Sequence, residues 1–69
     1  MQFQIDNKEY IELNKLLKIL NLVESGGQAN MFITEGEAIV NNEIETRKRK
    51  KLRVGDIIEF NGYTIEITK

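Results

Sequence analysis

Four leucines in the first third of the chain recur at intervals of three and four residues. They are Leu13, Leu16, Leu17 and Leu20. This spacing puts apolar side chains on one face of a helix, so it predicts an amphipathic helix whose leucine face packs on a core. Lys15 and Lys18 lie off that face. We expect the helix to end at Asn21.

A second helix is predicted to begin in the sequence Ser25-Gly26-Gly27-Gln28. Serine followed three residues later by glutamine is a capping-box pattern, in which the serine oxygen accepts from a first-turn N–H group and the glutamine reaches back to the cap. Ala29, Phe32 and Ile33 supply the apolar face of this helix. Gly36 stands where a left-handed C-terminal cap is expected.

Outside these helices, apolar and polar residues alternate with a period of two, which predicts strands. The alternating segments are residues 2–5, 37–40, 43–45, 57–60 and 63–67. Asn41-Asn42 and Asn61-Gly62 favour tight hairpins because these residue types tolerate positive φ. Val54-Gly55-Asp56 favours a turn. The pattern predicts an α+β fold, with two short helices packed against a small, mostly antiparallel sheet in a single domain of residues 1–69.

Cysteine, histidine, proline and tryptophan are absent. Their absence excludes disulfides, thiolate or imidazole metal ligands and nucleophiles that need a histidine base. We therefore expect no metal, no cofactor and no enzymatic activity. No apolar run is long enough to span a bilayer, and the N-terminus does not resemble a signal peptide. We expect a cytoplasmic protein without membrane contact.

The charges are segregated along the chain, although the net charge is only −1. Residues 1–46 carry eight acidic and three basic side chains, whereas residues 47–53 carry six basic and no acidic ones. Concentrating like charges costs stability, so the run Arg47-Lys48-Arg49-Lys50-Lys51-Leu52-Arg53 favours a polyanion site over a solvated loop. Composition alone leaves RNA, DNA, an acidic protein surface and anionic lipid open as partners.

The beginning of the second helix is a second candidate. Free N–H groups and the positive end of the helix dipole suit a phosphate, and two glycines would let it approach closely. The alternative is a sharp interhelical turn that needs glycine for packing, and the motif alone slightly favours that alternative.

The acidic and aromatic residues give weaker evidence for a functional site than the basic run does. The carboxylate pairs Glu35 with Glu37 and Glu43 with Glu45 are interpreted as solvated, and Asp56 as part of a turn. Three phenylalanines occupy apolar positions and are predicted to be core, namely Phe3, Phe32 and Phe60. Only Tyr10 and Tyr63 are expected to be exposed, so recognition should rest on backbone charge and shape more than on base stacking.

A set of short motifs resembles the S-four (S4) domain, an RNA-binding module named after the fourth protein of the small ribosomal subunit. The motifs occur in the family's order: Leu16-Leu17-Lys18, Ser25-Gly26-Gly27-Gln28-Ala29, Glu35-Gly36, Val40-Asn41, Arg47-Lys48, Lys51-Leu52-Arg53 and Gly55-Asp56. They span roughly residues 10–60 and are most similar to the small stand-alone bacterial subfamily. The resemblance implies the αL fold, a helical pair followed by strands, with helix and hairpin residues forming one basic surface for structured RNA.

The resemblance also implies which residues face RNA, by motif match: Lys18, Ser25, Gly26, Gly27, Gln28, Asn41, Arg47, Lys48, Lys51 and Arg53. Arg49 and Lys50 join them as members of the basic run. Two positions depart from the family pattern. Asn30 follows Ala29 where lysine is usual, which removes one expected phosphate contact, and Asn42 stands where glycine is usual. Lys50 adds a charge that should offset part of the loss at Asn30.

Together with the basic run, the resemblance implies a ribosome-associated module that binds structured RNA, of the ribosomal or transfer RNA class. We expect it to act as a monomer and without a small-molecule substrate. One alternative is a protein-interaction adaptor whose basic loop docks an acidic partner. Another is a sulfur-carrier or ubiquitin-like domain, which would need a C-terminal glycine pair where this chain has Ile67-Thr68-Lys69. An enzyme is the weakest alternative.

Overall fold

The computed structural model describes all residues, Met1–Lys69. The elements follow in the order β1 (Gln2–Gln4), β2 (Ile11–Glu12), α1 (Leu13–Ile19), α2 (Gly26–Thr34), β3 (Ala38–Val40), β4 (Glu43–Ile44), β5 (Lys51–Leu52), β6 (Ile57–Phe60) and β7 (Tyr63–Thr68). Both predicted helices and all the predicted strands are present. None of the helices is long and apolar enough to cross a membrane.

Both helices end as the sequence predicts, at residues that adopt left-handed backbone angles. Asn21 has φ 59° and Gly36 has φ 83°. After each of them the chain makes the paired backbone hydrogen bonds of a Schellman motif, such as the one from the Glu37 N–H to the Phe32 carbonyl at 3.1 Å. These bonds satisfy the last carbonyls of each helix and turn the chain sharply, so the two short helices can pack on each other.

The sheet has five strands in the order β1-β7-β6-β3-β4. Only β1 and β7 run parallel, and the other three pairs are antiparallel, which confirms a mostly antiparallel sheet. The two predicted hairpin turns are also confirmed, because φ is positive at Asn41, Asn42, Asn61 and Gly62, as the tightest hairpins require. Val54–Asp56 forms the third predicted turn, with Gly55 at φ 97°.

A short ribbon separate from this sheet was not predicted. In it β2 pairs antiparallel with β5, so that Ile11 lies opposite Leu52 and Glu12 opposite Lys51. The ribbon pairs the two residues that precede α1 with two residues near the end of the basic run. It therefore fixes the position of that run relative to the helices.

The core is a single cluster of fourteen buried residues, all of them apolar. It joins the leucine face of α1 and the Ala29 and Ile33 positions of α2 to the inner face of the sheet. Phe60 is buried as predicted, whereas Phe3 and Phe32 are half-buried and pack against the cluster. The arrangement is the predicted α+β fold of two helices on a small sheet.

Candidate functional site

The basic run folds around a shallow concavity of about 500 Å³. Its lining consists of five side chains and no others: Arg47, Arg49, Lys50, Lys51 and Arg53. No acidic or apolar residue contributes to it. The structure thus brings most of the predicted basic run into one surface, which we call the basic concavity. Lys48 is exposed but does not line it.

The beginning of α1 holds the middle of the run in place. Glu12, the N-cap residue, makes no side-chain capping bond. Instead the Leu13 N–H donates to the Lys50 carbonyl at 2.9 Å and the Asn14 N–H donates to the Lys48 carbonyl at 3.1 Å. Two free N–H groups at the beginning of the helix are thus satisfied by carbonyls of the basic run. These two carbonyls point toward α1, while the cationic residues of the run are exposed, except Lys50, which is half-buried.

The end of the run is fixed by burial and by a turn. Leu52, its one apolar residue, is fully buried in the core. The carboxylate of Asp56 accepts a hydrogen bond from the Arg53 N–H at 2.8 Å, which confirms that Asp56 belongs to a turn. Lys51 and Arg53 flank Leu52 and are both exposed. Burial of the Leu52 side chain thus leaves its two neighbours exposed, Lys51 within β5 and Arg53 directly after it.

Arg47 is paired within the chain. Its Nε lies 2.8 Å from Glu45 Oε2 and its Nη2 lies 3.0 Å from Glu45 Oε1, a bidentate contact. The Arg47 N–H donates to the same carboxylate at 2.9 Å. Bonding by the guanidinium lowers the pKa of Glu45 below its ordinary value and raises that of Arg47. The expectation that Glu45 is a solvated acid is wrong, because its side chain is only 12% exposed; Glu43 is exposed.

Tyr10 does not line the basic concavity but contacts two of the cations that do, a position that the sequence did not indicate. Lys51 Nζ lies 4.9 Å from the centre of its ring and the Arg53 guanidinium carbon lies 5.7 Å from it, both within cation–π range. Arg53 also donates to the Glu9 carbonyl at 3.4 Å. The β2–β5 ribbon creates these contacts, so the only signal in the sequence was the prediction that Tyr10 is exposed, which is confirmed.

Asn41 occupies a structural position beside the concavity. Its amide donates to Asp56 Oδ1 at 3.0 Å and its Oδ1 accepts from the Ile57 N–H at 2.9 Å, which ties two turns together. It also lines a second concavity, of about 390 Å³, that shares Arg47 and Lys50 with the basic concavity. Asn41 is thus adjacent to the predicted surface, with part of its bonding capacity already used.

The capping box at the beginning of α2 is present with one difference. The Ser25 hydroxyl accepts from the Gln28 N–H at 3.1 Å, as predicted. Gln28 reaches back to the Glu24 N–H at 2.7 Å, one residue before the cap. None of the four predicted residues Ser25–Gln28 lines the basic concavity, and neither does Lys18, which is exposed in the last turn of α1. The two predicted halves of the surface are therefore separate features of one domain.

The two glycines of α2 have no packing role within the chain. A Cβ added at Gly26 would meet no atom within 4 Å, and one at Gly27 would meet only the Ser25 hydroxyl, at 3.8 Å. Neither glycine has a positive φ. The interpretation that glycine is needed there for a packed turn is therefore wrong.

Asn30, the position that departs from the family pattern, contacts the other helix. Its Oδ1 accepts from the Asn14 amide at 3.0 Å, and Asn14 Oδ1 is left buried without a partner. Since the Asn14 N–H is bonded to the Lys48 carbonyl, this pair links α2 to the basic run through α1.

The fold and this surface define a class of small α+β domain, in which a helical pair and a short ribbon hold a basic loop in a fixed conformation. The family model described as the S4 domain matches residues 3–68. The chain belongs to the S4 domain family.

Its relatives include small proteins of similar length. It is 42% identical over 55 residues to the probable ribosome maturation protein RlbA of Bacillus subtilis, covering 80% of this chain and 78% of that protein. It is 37% identical over 65 residues to the putative RNA-binding protein YbcJ of Escherichia coli, covering 94% of this chain and 93% of that protein. The solution structure of YbcJ, reported to reveal an alfaL motif involved in RNA binding, is similar with a TM-score of 0.75 and 35% identity over 99% of this chain and 86% of that one.

Proposed function

We propose that this protein is an RNA-binding module, not an enzyme, that grips structured RNA through its phosphates. The basic concavity carries the proposal: five cationic side chains converge there, and no acid lines it. Lysine and arginine supply charge and several donors each, and arginine can hold a phosphate with two parallel hydrogen bonds. The names of the relatives support RNA as the polyanion.

The fixed backbone of the basic run supports the same function. A flexible basic loop would lose conformational entropy on binding, whereas a loop already ordered by α1 and the ribbon loses little. Arg49 and Lys50 have no side-chain partner within the chain, so their charges are available without breaking an existing contact. Lys48, next to them, extends the charged area.

The second part of the proposed interface is the beginning of α2 with Lys18. The two glycines leave the helix N-terminus open to a phosphate backbone, and nothing inside the chain requires them. The residues proposed to face RNA are Lys18, Ser25, Gly26, Gly27, Gln28, Asn41, Arg47, Lys48, Arg49, Lys50, Lys51 and Arg53. Since the concavity lacks the α2 residues, we propose that one RNA contacts the two areas at different phosphates.

We further propose an RNA of the ribosomal or transfer RNA class as the target, because the Bacillus subtilis relative is named for ribosome maturation. Folded RNA presents phosphates at fixed spacings, and a rigid basic surface recognises such a spacing by shape. The protein would act in the cytoplasm as a monomeric single domain.

A salt titration by filter binding tests the proposal. Neutralising phosphates releases counterions, so affinity for a structured RNA should fall steeply between 50 and 200 mM salt. Replacing Arg47, Lys51 and Arg53 together with glutamine should weaken binding to many RNAs about equally. The matched pair is Lys51→Gln against Lys69→Gln, because Lys69 lines neither the basic concavity nor the groove beside Tyr10 and its replacement changes the net charge by the same amount.

Affinity that barely responds to salt would contradict the proposal. So would equal losses in Lys51→Gln and Lys69→Gln, because the effect would then come from net charge and not from the concavity. Circular dichroism of all three variants checks that the fold is retained.

A further inference from the structure

We propose that Tyr10 is a stacking platform for an unpaired nucleobase, and that the groove beside it holds this base while the basic concavity holds the neighbouring phosphates. The inference rests on the proposed function, since it needs RNA at the basic concavity. It adds a contact to the base itself, where the motifs of the sequence indicate only contacts to the backbone.

Tyr10 lies at the boundary between two concavities. On one side are Lys51 and Arg53, which line the basic concavity and lie within 4.9 and 5.7 Å of the ring centre. On the other side is a groove of about 550 Å³ that Tyr10 itself lines, together with Phe3, Ile11 and other residues. A strand of RNA whose phosphates contact the two cations would therefore have its bases within reach of the ring.

The fold does not use the Tyr10 ring as a core residue. The ring lies outside the core cluster and 37% of the residue is exposed. Its neighbour Ile11 packs against the core and pairs with Leu52, so the ribbon is anchored without Tyr10. An aromatic side chain that is exposed and flanked by two cations is the combination that binds single-stranded RNA, because every base has a π-face that can stack.

The lining of the groove favours a base over a phosphate. Phe3, Ile5 and Ile19 give it apolar walls. Its charged residues are three acids, Asp6, Glu9 and Glu12, and two lysines, Lys8 and Lys15, of which Lys15 lies 3.4 Å from Glu12. Three acids against two lysines leave this lining with a net charge of −1, and its carboxylates accept hydrogen bonds from the edge of a base. Its volume lies within the range of about 300–1,000 Å³ that is usual for small-ligand sites. The charge difference across Tyr10 thus orients the nucleotide, with the phosphate on the cationic side and the base in the groove.

This arrangement adds one base contact to a recognition that the sequence predicts to rest on backbone charge and shape more than on base stacking. A base inside a continuous duplex cannot reach the ring, so the preferred target is a structured RNA with an unpaired nucleotide in a loop, a bulge or an end.

The test uses an RNA hairpin with a six-nucleotide loop and the same hairpin with an abasic loop, which keeps every phosphate. Replacing Tyr10 with leucine should weaken binding to the intact hairpin by about 5- to 150-fold, the value of one base stack. It should change binding to the abasic hairpin by less than about twofold. Tyr10→Phe keeps the aromatic ring and should bind both hairpins as the unaltered protein does. Circular dichroism checks the fold of each variant.

Tyrosine fluorescence gives an independent test of stacking that does not depend on a variant losing affinity for RNA. The protein has two tyrosines and no tryptophan, so in a Tyr63→Phe variant Tyr10 is the only emitter. Stacking should quench this emission with the intact hairpin and much less with the abasic one.

Three results would overturn the inference. Equal weakening of both hairpins by Tyr10→Leu would mean that Tyr10 only arranges Lys51 and Arg53. An unchanged affinity, or equal quenching by the two hairpins, would mean that no base contacts the ring. If the unaltered protein binds neither hairpin, the proposed function itself fails. Measuring the unaltered protein first therefore separates failure of the proposed function from failure of the stacking inference.

Discussion

From the ion pair between Glu45 and Arg47 we predict how the salt dependence of RNA binding changes in a Glu45 variant. Arg47 lines the basic concavity, but its guanidinium is bonded through two nitrogens to a carboxylate whose side chain is only 12% exposed. A phosphate that binds Arg47 must compete with this carboxylate. Replacing Glu45 with glutamine keeps the size of the side chain and removes its charge, so Arg47 should become available to RNA.

The expected magnitude follows from the number of cations in the basic concavity. With Arg47 held by Glu45, four of the five remain, and their four phosphate contacts contribute about −3.6 to the slope of log affinity against log salt. These contacts alone should lower affinity by about 150-fold between 50 and 200 mM salt. A fifth contact changes this contribution to about −4.5 and the corresponding loss to about 500-fold.

The assay is a filter-binding titration of the unaltered protein and the variants at several salt concentrations with one hairpin RNA. Glu43→Gln is the matched control, because Glu43 is exposed, lies in the same hairpin and forms no ion pair, yet its replacement alters the net charge equally. The slope should steepen for Glu45→Gln only. The same slope for Glu45→Gln and the unaltered protein, or equal steepening in both variants, would refute the reasoning.

Three further predictions concern stability and the α2 terminus. Because the pKa of Glu45 lies below its ordinary value of 4.5 in the folded protein, the ion pair stabilises the fold above about pH 4.5 and this contribution is lost as the pH falls through the lowered pKa; acid unfolding of Glu45→Gln should lack this component, and an identical acid profile would contradict it. Gly26→Ala should raise the free energy of unfolding by up to about 1 kcal/mol, since the added methyl group meets no atom, yet weaken RNA binding; urea unfolding and filter binding measure the two effects, and unchanged binding would remove the beginning of α2 from the interface. Leu52→Ala should cost about 2–5 kcal/mol in urea unfolding, because Leu52 is fully buried; a cost below 1 kcal/mol would mean that β5 is not anchored by this side chain.

The features that the sequence predicts well are local ones. The ends of the helices at Asn21 and Gly36 and the two hairpin turns depend on residue types that tolerate positive φ, and those residues are visible in the sequence. The leucine spacing of α1 is also local, and it correctly identifies Leu13, Leu16 and Leu17 as buried.

The features that the sequence does not reveal are the ones built by distant pairing. The ribbon strands β2 and β5 have two residues each, too few to show an alternating pattern. Without the ribbon nothing places Tyr10 beside Lys51 and Arg53. The sequence predicts a solvated Glu45, because nothing in the basic run shows that its first residue, Arg47, folds back onto this carboxylate. Charge segregation identifies the basic surface, but the chain's own contacts decide which of its cations are free.

The two hydrogen bonds from α1 to the carbonyls of Lys48 and Lys50 couple the helix to whatever binds the basic concavity. Local opening of the first turn of α1 would release the loop, and a loop held by RNA would resist that opening. The amide protons of Leu13 and Asn14 should therefore exchange with solvent more slowly in the complex, although neither residue lines the basic concavity. The exchange rate of these two backbone amides thus reports whether the basic concavity is occupied.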